Sequence, residues 1–157
     1  MTRQERKIFP SGHCIDHYSI KRLVGQGGYG DIYEAFDKDK GKDVAMKIEF
    51  NNSKKKALAR EYSIMQILKF PYFPAFVEYK ETPELKYLCM ELCGPSISTI
   101  RKALPSRTLE PSTILRVSIE MLRAIKAFHE AGFLNRDIKP SNFLLPPSRK
   151  YPICLID

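Results

Sequence analysis

The chain has 157 residues, 43% of them hydrophobic and 28% charged, with a formal net charge of +8. This composition fits one domain, or part of a larger one, with enough apolar side chains for a core. It excludes a membrane-spanning helix, because no apolar run approaches the roughly 20 residues that such a helix needs. The start, Met1 to Pro10, lacks the apolar core of a signal peptide. We therefore expect a soluble intracellular protein, cytoplasmic, nuclear or both.

The positive charge is compatible with nucleic acid, a membrane surface or a phosphorylated substrate as partner. The basic residues are spread along the chain, with one dense run at Lys54–Lys56 and no arginine-rich arm. This pattern favours a solvated basic surface over a dedicated nucleic-acid-binding module. The four cysteines show no zinc spacing, and we expect buried thiols.

After a basic tail at residues 1–15, the first half of the chain alternates in polarity. Four segments are predicted strands: "YSIKRLVG", "GDIYEAFD", "VAMKIEF" and "KYLCMEL". A turn at Gly41 separates the second from the third, which predicts an antiparallel meander. Gly94-Pro95 closes the fourth.

Three segments have helical periodicity. The first, 53–70, aligns Leu58, Met65 and Leu68 on one face, and Pro71 prevents its continuation. A short helix follows Gly94-Pro95, with Ile97, Ile100 and Leu104 aligned.

The third helix is predicted from Ser112, its expected N-cap, to Glu130, with Gly132 as its stop. Apolar residues cover much of its circumference, which predicts deep burial; they are Leu115, Ile119, Leu122, Ile125 and Phe128. Because strands lead and helices follow, we expect two lobes, with a cleft at Gly94-Pro95.

Two charged residues lie in apolar surroundings. Glu61 shares the helix face of Leu58 and Met65, and Lys47 lies in the middle of a strand beside Ala45. A carboxylate in an apolar stripe is costly unless it is paired. Pairing Lys47 with Glu61 would satisfy both charges; alternatively, Lys47 is exposed and Glu61 lies at the margin of the apolar stripe.

A glycine-rich stretch, "GQGGYG", precedes the second predicted strand. Gly25, Gly27 and Gly30 have the spacing of loops whose backbone N–H groups approach a phosphate. In a dinucleotide site such a loop opens a helix, whereas here a strand follows. A flap between two antiparallel strands, lying over a nucleotide, fits better.

Five motifs follow one another in the order typical of one family: "GQGGYGDI", "VAMK", the helix glutamate Glu61, "NRDIKPSN" and the final Asp157. From Tyr18 to Asp157 the chain resembles eukaryotic protein kinases. "MELCGPSI" and "RDIKPSNFLL" are most similar to the casein kinase 1 group, and "AGFLNRDIKPSNF" to its tau-tubulin kinase branch. The resemblance implies an α+β two-lobe fold, with the N-lobe (sheet plus helix αC) at 16–92 and the hinge and a partial C-lobe at 93–157, ending at the aspartate of the DFG motif.

The resemblance also implies an ATP site. Its glycine loop covers the phosphates, and Lys47, oriented by Glu61, holds the α and β phosphates. Met90 is the gatekeeper. The implied nucleotide-binding residues are Val24, Gly25, Gly27, Gly30, Ile32, Ala45, Lys47, Met90, Glu91, Cys93 and Leu144; Val24, Ile32 and Ala45 lie above the base, Leu144 below it, and Glu91 and Cys93 give backbone contacts to adenine.

The stretch Phe133–Leu145 is implied to be the catalytic loop. Asp137 would accept the proton of a substrate hydroxyl, and Lys139 would lie near the transferred phosphoryl group. Asn142 and Asp157 would hold Mg²⁺. Apolar residues on both sides would anchor the loop.

The resemblance implies a serine/threonine kinase that transfers the γ-phosphoryl group of ATP to protein hydroxyls, with an acidic, primed or cytoskeleton-associated substrate. Two departures qualify it. Asn135 replaces the usual histidine, from which we expect altered positioning of the metal-binding aspartate. The chain also ends at Asp157, which predicts that the long helix exposes apolar side chains. The alternative is a non-catalytic, pseudokinase-like module that binds ATP.

Overall fold

A computed structural model describes residues 8–27, 30–53, 56–68, 71–147 and 152–156. The elements in chain order are β1 (Cys14–Ile15), β2 (Tyr18–Gly27), β3 (Gly30–Asp37), β4 (Lys42–Phe50), α1 (Leu58–Ile67), β5 (Phe76–Glu81), β6 (Leu85–Glu91), α2 (Ile97–Ala103), α3 (Pro111–Glu130), a 3-10 turn (Pro140–Asn142), β7 (Phe143–Leu144) and β8 (Cys154–Leu155). The chain divides into two compact units, Met1–Leu58 with Glu78–Cys89, and Ala59–Val77 with Met90–Asp157.

A six-stranded sheet has the order β1-β2-β3-β4-β6-β5. The pairs β1–β2, β2–β3 and β3–β4 are antiparallel, which confirms the predicted meander and the α+β class. Sequence reasoning missed β5, whose residues are all half-buried or exposed. A strand without a buried face lacks the clear alternation that marks the others.

The core of the first unit lies against β3 and β4. Val44, Met46 and Ile48 alternate along β4 and are at most 1% exposed. Two buried phenols nearby are satisfied: the Tyr18 hydroxyl donates to Glu78 at 2.7 Å, and the Tyr87 hydroxyl donates to Asp16 at 2.5 Å. Burial, reinforced by these carboxylates, raises the pKa of both phenols.

The core of the second unit joins its helices to the short β7–β8 pair. Its buried residues are Phe73, Ile97, Ala124, Phe128, Phe143, Ile153 and Leu155, and Ile64 and Leu68 of the α1 region pack against them. Helix α1 is shorter than the predicted 53–70, and residues 54–55 and 69–70 lie outside the described part of the chain. Helix α2 begins where predicted, because the Ser96 hydroxyl accepts the Thr99 amide at 3.1 Å.

Helix α3 corrects two predictions. It begins at Pro111 with Glu110 as N-cap, not with Ser112, because proline has no N–H to lose at the first helical position. The deep burial expected from its apolar circumference was also wrong, whereas the expected exposure of apolar side chains is confirmed, since Leu115 and Leu122 are 66% and 65% exposed. Only Ala124 and Phe128 of this helix are buried. Its predicted stop is confirmed, with Gly132 at φ +88°.

The prediction of four buried thiols holds for Cys89 and Cys154 only. Cys14 is exposed and Cys93 half-buried. Burial raises the pKa of Cys89 to about 12. In the described residues, no helix has both the length and the apolar character that crossing a membrane requires.

Candidate active site

The glycine-rich stretch lies at the tip of the β2–β3 hairpin, where Gly27 pairs with Gly30. This confirms a loop between antiparallel strands. Gly30 has φ +141°, and a Cβ there would lie 2.6 Å from the Ile48 carbonyl oxygen. A side chain at Gly30 would therefore collide with β4, whereas one at Gly25 would meet open space. Residues 28–29 lie outside the described chain.

Lys47 lies in the middle of β4 and is 5% exposed. It is paired in register with Ile32 of β3, so the two side chains share one face of the sheet. Ala45, two residues before Lys47, lies on the same face. Val24 is 50% exposed and falls where the β2–β3 register shifts. The first unit thus brings Ile32, Ala45 and Lys47 together.

Glu61 is half-buried in the first turn of α1. The exposed residues Ala59, Arg60 and Ser63 lie off its face, which agrees with the predicted stripe. Its pairing with Lys47 remains a prediction.

Glu49 is a residue that sequence reasoning missed. It is 2% exposed on β4, and its Oε2 accepts the backbone N–H groups of Ala57 at 2.7 Å and Leu58 at 3.0 Å. This carboxylate therefore satisfies amides at the start of α1, which otherwise have no partner within the helix. The available signal was an acidic residue inside a buried strand ahead of a helix without a Ser, Thr, Asp or Asn cap.

The proposed adenine-binding residues of the second unit lie on connected segments. The Glu91 N–H donates to the Ala75 carbonyl at 2.8 Å, which holds the end of β6. After Cys93, the Gly94 N–H donates to the Leu145 carbonyl at 2.7 Å. Leu144 pairs with Cys154 and forms an isolated bridge with Ser96. The half-buried residues Met90, Glu91, Cys93 and Leu144 are thus carried by segments hydrogen-bonded to their neighbours.

Asp137, Lys139 and Asn142 meet in the loop between α3 and β7. Asp137 Oδ2 accepts from Lys139 Nζ at 2.5 Å and from Asn142 Nδ2 at 3.2 Å. Lys139, followed by Asn142, lowers the pKa of Asp137. The loop therefore holds an ionised carboxylate, which is the form that can accept a proton, beside an ammonium group.

Asn142 fits a role as metal ligand. It is 6% exposed, and its Nδ2 donates to both the carboxylate and the carbonyl of Asp137. Those two bonds fix the amide so that Oδ1, an oxygen donor of the kind that Mg²⁺ prefers, lies on its other side. The second predicted ligand, Asp157, lies outside the described residues.

Two of the curated relatives that this chain resembles are named as kinases. A probable serine/threonine-protein kinase of Dictyostelium discoideum is 29% identical over 153 residues, which are 95% of this chain and 31% of that protein. A putative casein kinase I of Caenorhabditis elegans is 27% identical over 139 residues, 86% of this chain and 41% of that protein. The chain spans about a third to two fifths of the length of these relatives.

The family model described as the protein kinase domain matches residues 18–157. The match covers every element from β2 to β8, including the glycine hairpin and the loop of Asp137. With its antiparallel sheet and its helices, this chain belongs to the protein kinase domain family.

Proposed function

We propose that this chain carries the active-site residues of a serine/threonine protein kinase, which transfers the γ-phosphoryl group of ATP to Ser and Thr hydroxyls of proteins. One observation carries the proposal: the Asp137 carboxylate is held by Lys139 Nζ and Asn142 Nδ2 in one loop. The two relatives, a probable serine/threonine-protein kinase and a putative casein kinase I, support the same reaction class.

In this reaction the substrate hydroxyl oxygen forms a bond to the γ-phosphorus while the bond to the ADP oxygen breaks. Asp137 accepts the hydroxyl proton, and Lys139 offsets the negative charge on the transferred group. Asn142 and Asp157 are the proposed ligands of Mg²⁺, which would offset negative charge on the phosphates when bound.

The nucleotide is proposed to be bound by the glycine hairpin and by Lys47, with Glu61 orienting the lysine. The backbone N–H groups of the glycine hairpin would approach the phosphates, and Gly25 leaves open space where a Cβ would otherwise lie. Val24, Ile32, Ala45 and Leu144 would contact the base, with Met90, Glu91 and Cys93 at its edge. The proposed boundaries are 16–92 for the N-lobe and 93–157 for the hinge and C-lobe part.

The finer assignment is to the tau-tubulin kinase branch of the casein kinase 1 group. The stretch "AGFLNRDIKPSNF" supports this assignment. The substrate that we propose is an acidic, primed or cytoskeleton-associated protein in the cytoplasm or nucleus.

The test combines Mg²⁺-ATP binding with phosphoryl transfer by the 157-residue chain. Mg²⁺-ATP should raise the melting temperature of the wild type, because a ligand that binds only the folded state stabilises it. Lys47→Met should remove most of this shift. Asp137→Asn should keep the shift and lose transfer of ³²P from labelled ATP to an acidic serine peptide.

Each result bears on the proposal. Transfer by Asp137→Asn at the wild-type rate would contradict the assigned base. Binding without transfer in the wild type would favour the non-catalytic, pseudokinase-like alternative. If Mg²⁺-ATP produces no shift at all, the nucleotide-binding proposal fails as well.

A further inference from the structure

Asn135 is the one buried residue in the stretch 134–141, all of which the structure describes. Its exposed fraction is 8%, whereas Leu134 is 77% exposed and Ile138 is 50% exposed. An amide this deeply buried is costly unless it is hydrogen-bonded. Its Oδ1 accepts the backbone N–H of Asp137 at 2.9 Å.

The hydrogen bond from the Asp137 N–H to Asn135 Oδ1 closes a side-chain-to-backbone turn of the kind that asparagine often forms with the residue two positions later. It fixes the peptide on the N-terminal side of Asp137. Asn142 acts on the other side, because its Nδ2 donates to the Asp137 carbonyl at 3.0 Å. Asn142 is itself anchored, since its carbonyl accepts the Ile156 N–H at 2.9 Å.

The carboxylate between these two asparagines is exposed, and solvent-exposed loop residues sample many conformations. Lys139 cannot supply the missing rigidity, because its side chain is 50% exposed. Besides the direct bond from Asn142 Nδ2 to the carboxylate at 3.2 Å, the hydrogen bonds of the two buried amides hold the Asp137 backbone on both sides and so limit where its carboxylate can point.

We propose that Asn135 is a positioning residue, which holds the Asp137 backbone so that its carboxylate faces the reacting hydroxyl. This inference rests on the proposed function, in which Asp137 is the proton acceptor. The contact uses the amide oxygen Oδ1 of Asn135, an atom that the usual histidine at this position does not have.

The test compares Asn135→Leu, which keeps the shape of the side chain without the acceptor, with Asn135→Asp, which keeps the acceptor. Two readouts are measured on the 157-residue chain: hydrogen exchange of the Asp137 amide by NMR, and the kinetics of phosphoryl transfer. Asn135→Leu should speed exchange of that amide at least about tenfold and lower kcat by about 10- to 100-fold, with the KM for ATP nearly unchanged. Asn135→Asp should restore slow exchange and most of kcat.

If Asn135→Leu does not fold, as judged by circular dichroism, Asn135→Ala takes its place in the comparison with Asn135→Asp. Unchanged exchange of the Asp137 amide in the variant without the acceptor would overturn the inference, whatever the kinetics. Faster exchange with an unchanged kcat would overturn it too, since the contact would then be structural only. A wild type without transfer would overturn the proposed function and, with it, the catalytic meaning of Asn135, while exchange would still report whether the contact exists.

Discussion

At the scale of single residues, the charge state of Asp137 depends on Lys139. Because the ammonium group lowers the pKa of the carboxyl, Asp137 stays ionised to lower pH than an ordinary aspartate. Lys139→Met should therefore raise this pKa, and the acid limb of any Asp137-dependent activity should move to higher pH. An NMR titration of the Asp137 carboxyl carbon in both chains checks this without requiring catalysis. A pKa that stays the same or falls would contradict the contact at 2.5 Å.

Alanine substitutions at Gly30 and Gly25 allow a matched comparison within the glycine hairpin. Gly30→Ala should lower the free energy of unfolding by about 1–3 kcal/mol, since it combines a strained φ with contact against the Ile48 carbonyl. Gly25→Ala should change it by about 0.5 kcal/mol or less, because nothing lies within 4 Å of the added atom. Urea denaturation measures both. Equal effects would show that general flexibility, not the close approach to β4, selects glycine at position 30.

At the scale of elements, the start of α1 depends on a side chain from β4. Glu49→Ala would leave the N–H groups of Ala57 and Leu58 without their carboxylate, at a cost of about 1–3 kcal/mol. Glu84→Ala, at an exposed position, is the control, with an expected change within about 0.5 kcal/mol. Hydrogen exchange at Ala57 and Leu58 should quicken in the first variant only; unaltered exchange there would contradict the capping role.

Replacing a large side chain of α3 with alanine should lower the stability of the protein only on the buried side of the helix. Phe128→Ala removes a ring that is 9% exposed in the core cluster and should cost about 3–5 kcal/mol. Leu122→Ala changes a side chain that is 65% exposed, and should alter stability by about 0.5 kcal/mol or less. Chemical denaturation of the two variants gives the comparison. A large loss from Leu122→Ala would mean that this face is covered in solution.

The sequence predicts best those features that depend on residues close together in the chain. The glycine hairpin, Lys47 on its strand and the Asp137 loop follow from residue types within a few positions of each other. The link from Glu49 to Leu58 is a contact between elements, which no periodicity contains. Residue type alone favours Ser112 as the cap, although Pro111 before it already fixes a helical φ. The burial of α3 depends on what packs around it, and apolar content does not specify that.

At the scale of the whole molecule, the four thiols should divide into two classes. Cys14 is exposed and Cys93 is half-buried, whereas Cys89 and Cys154 are at most 1% exposed. The hydrogen bond with Cys154 also lowers the pKa of Cys93, which favours its reactive thiolate. Labelling the native chain with a thiol reagent at pH 8 should modify two cysteines quickly, and all four after unfolding. Fast labelling of all four in the native state would contradict the burial described.

Neither edge of the six-stranded sheet favours pairing with an additional strand. One edge is β1, only two residues long, and the other is β5, which carries the exposed charges of Lys80 and Glu81. A short or charged border gives an incoming backbone few places to bond. Amyloid-like growth templated by the folded sheet is therefore disfavoured, and fibril seeding would require this sheet to open first.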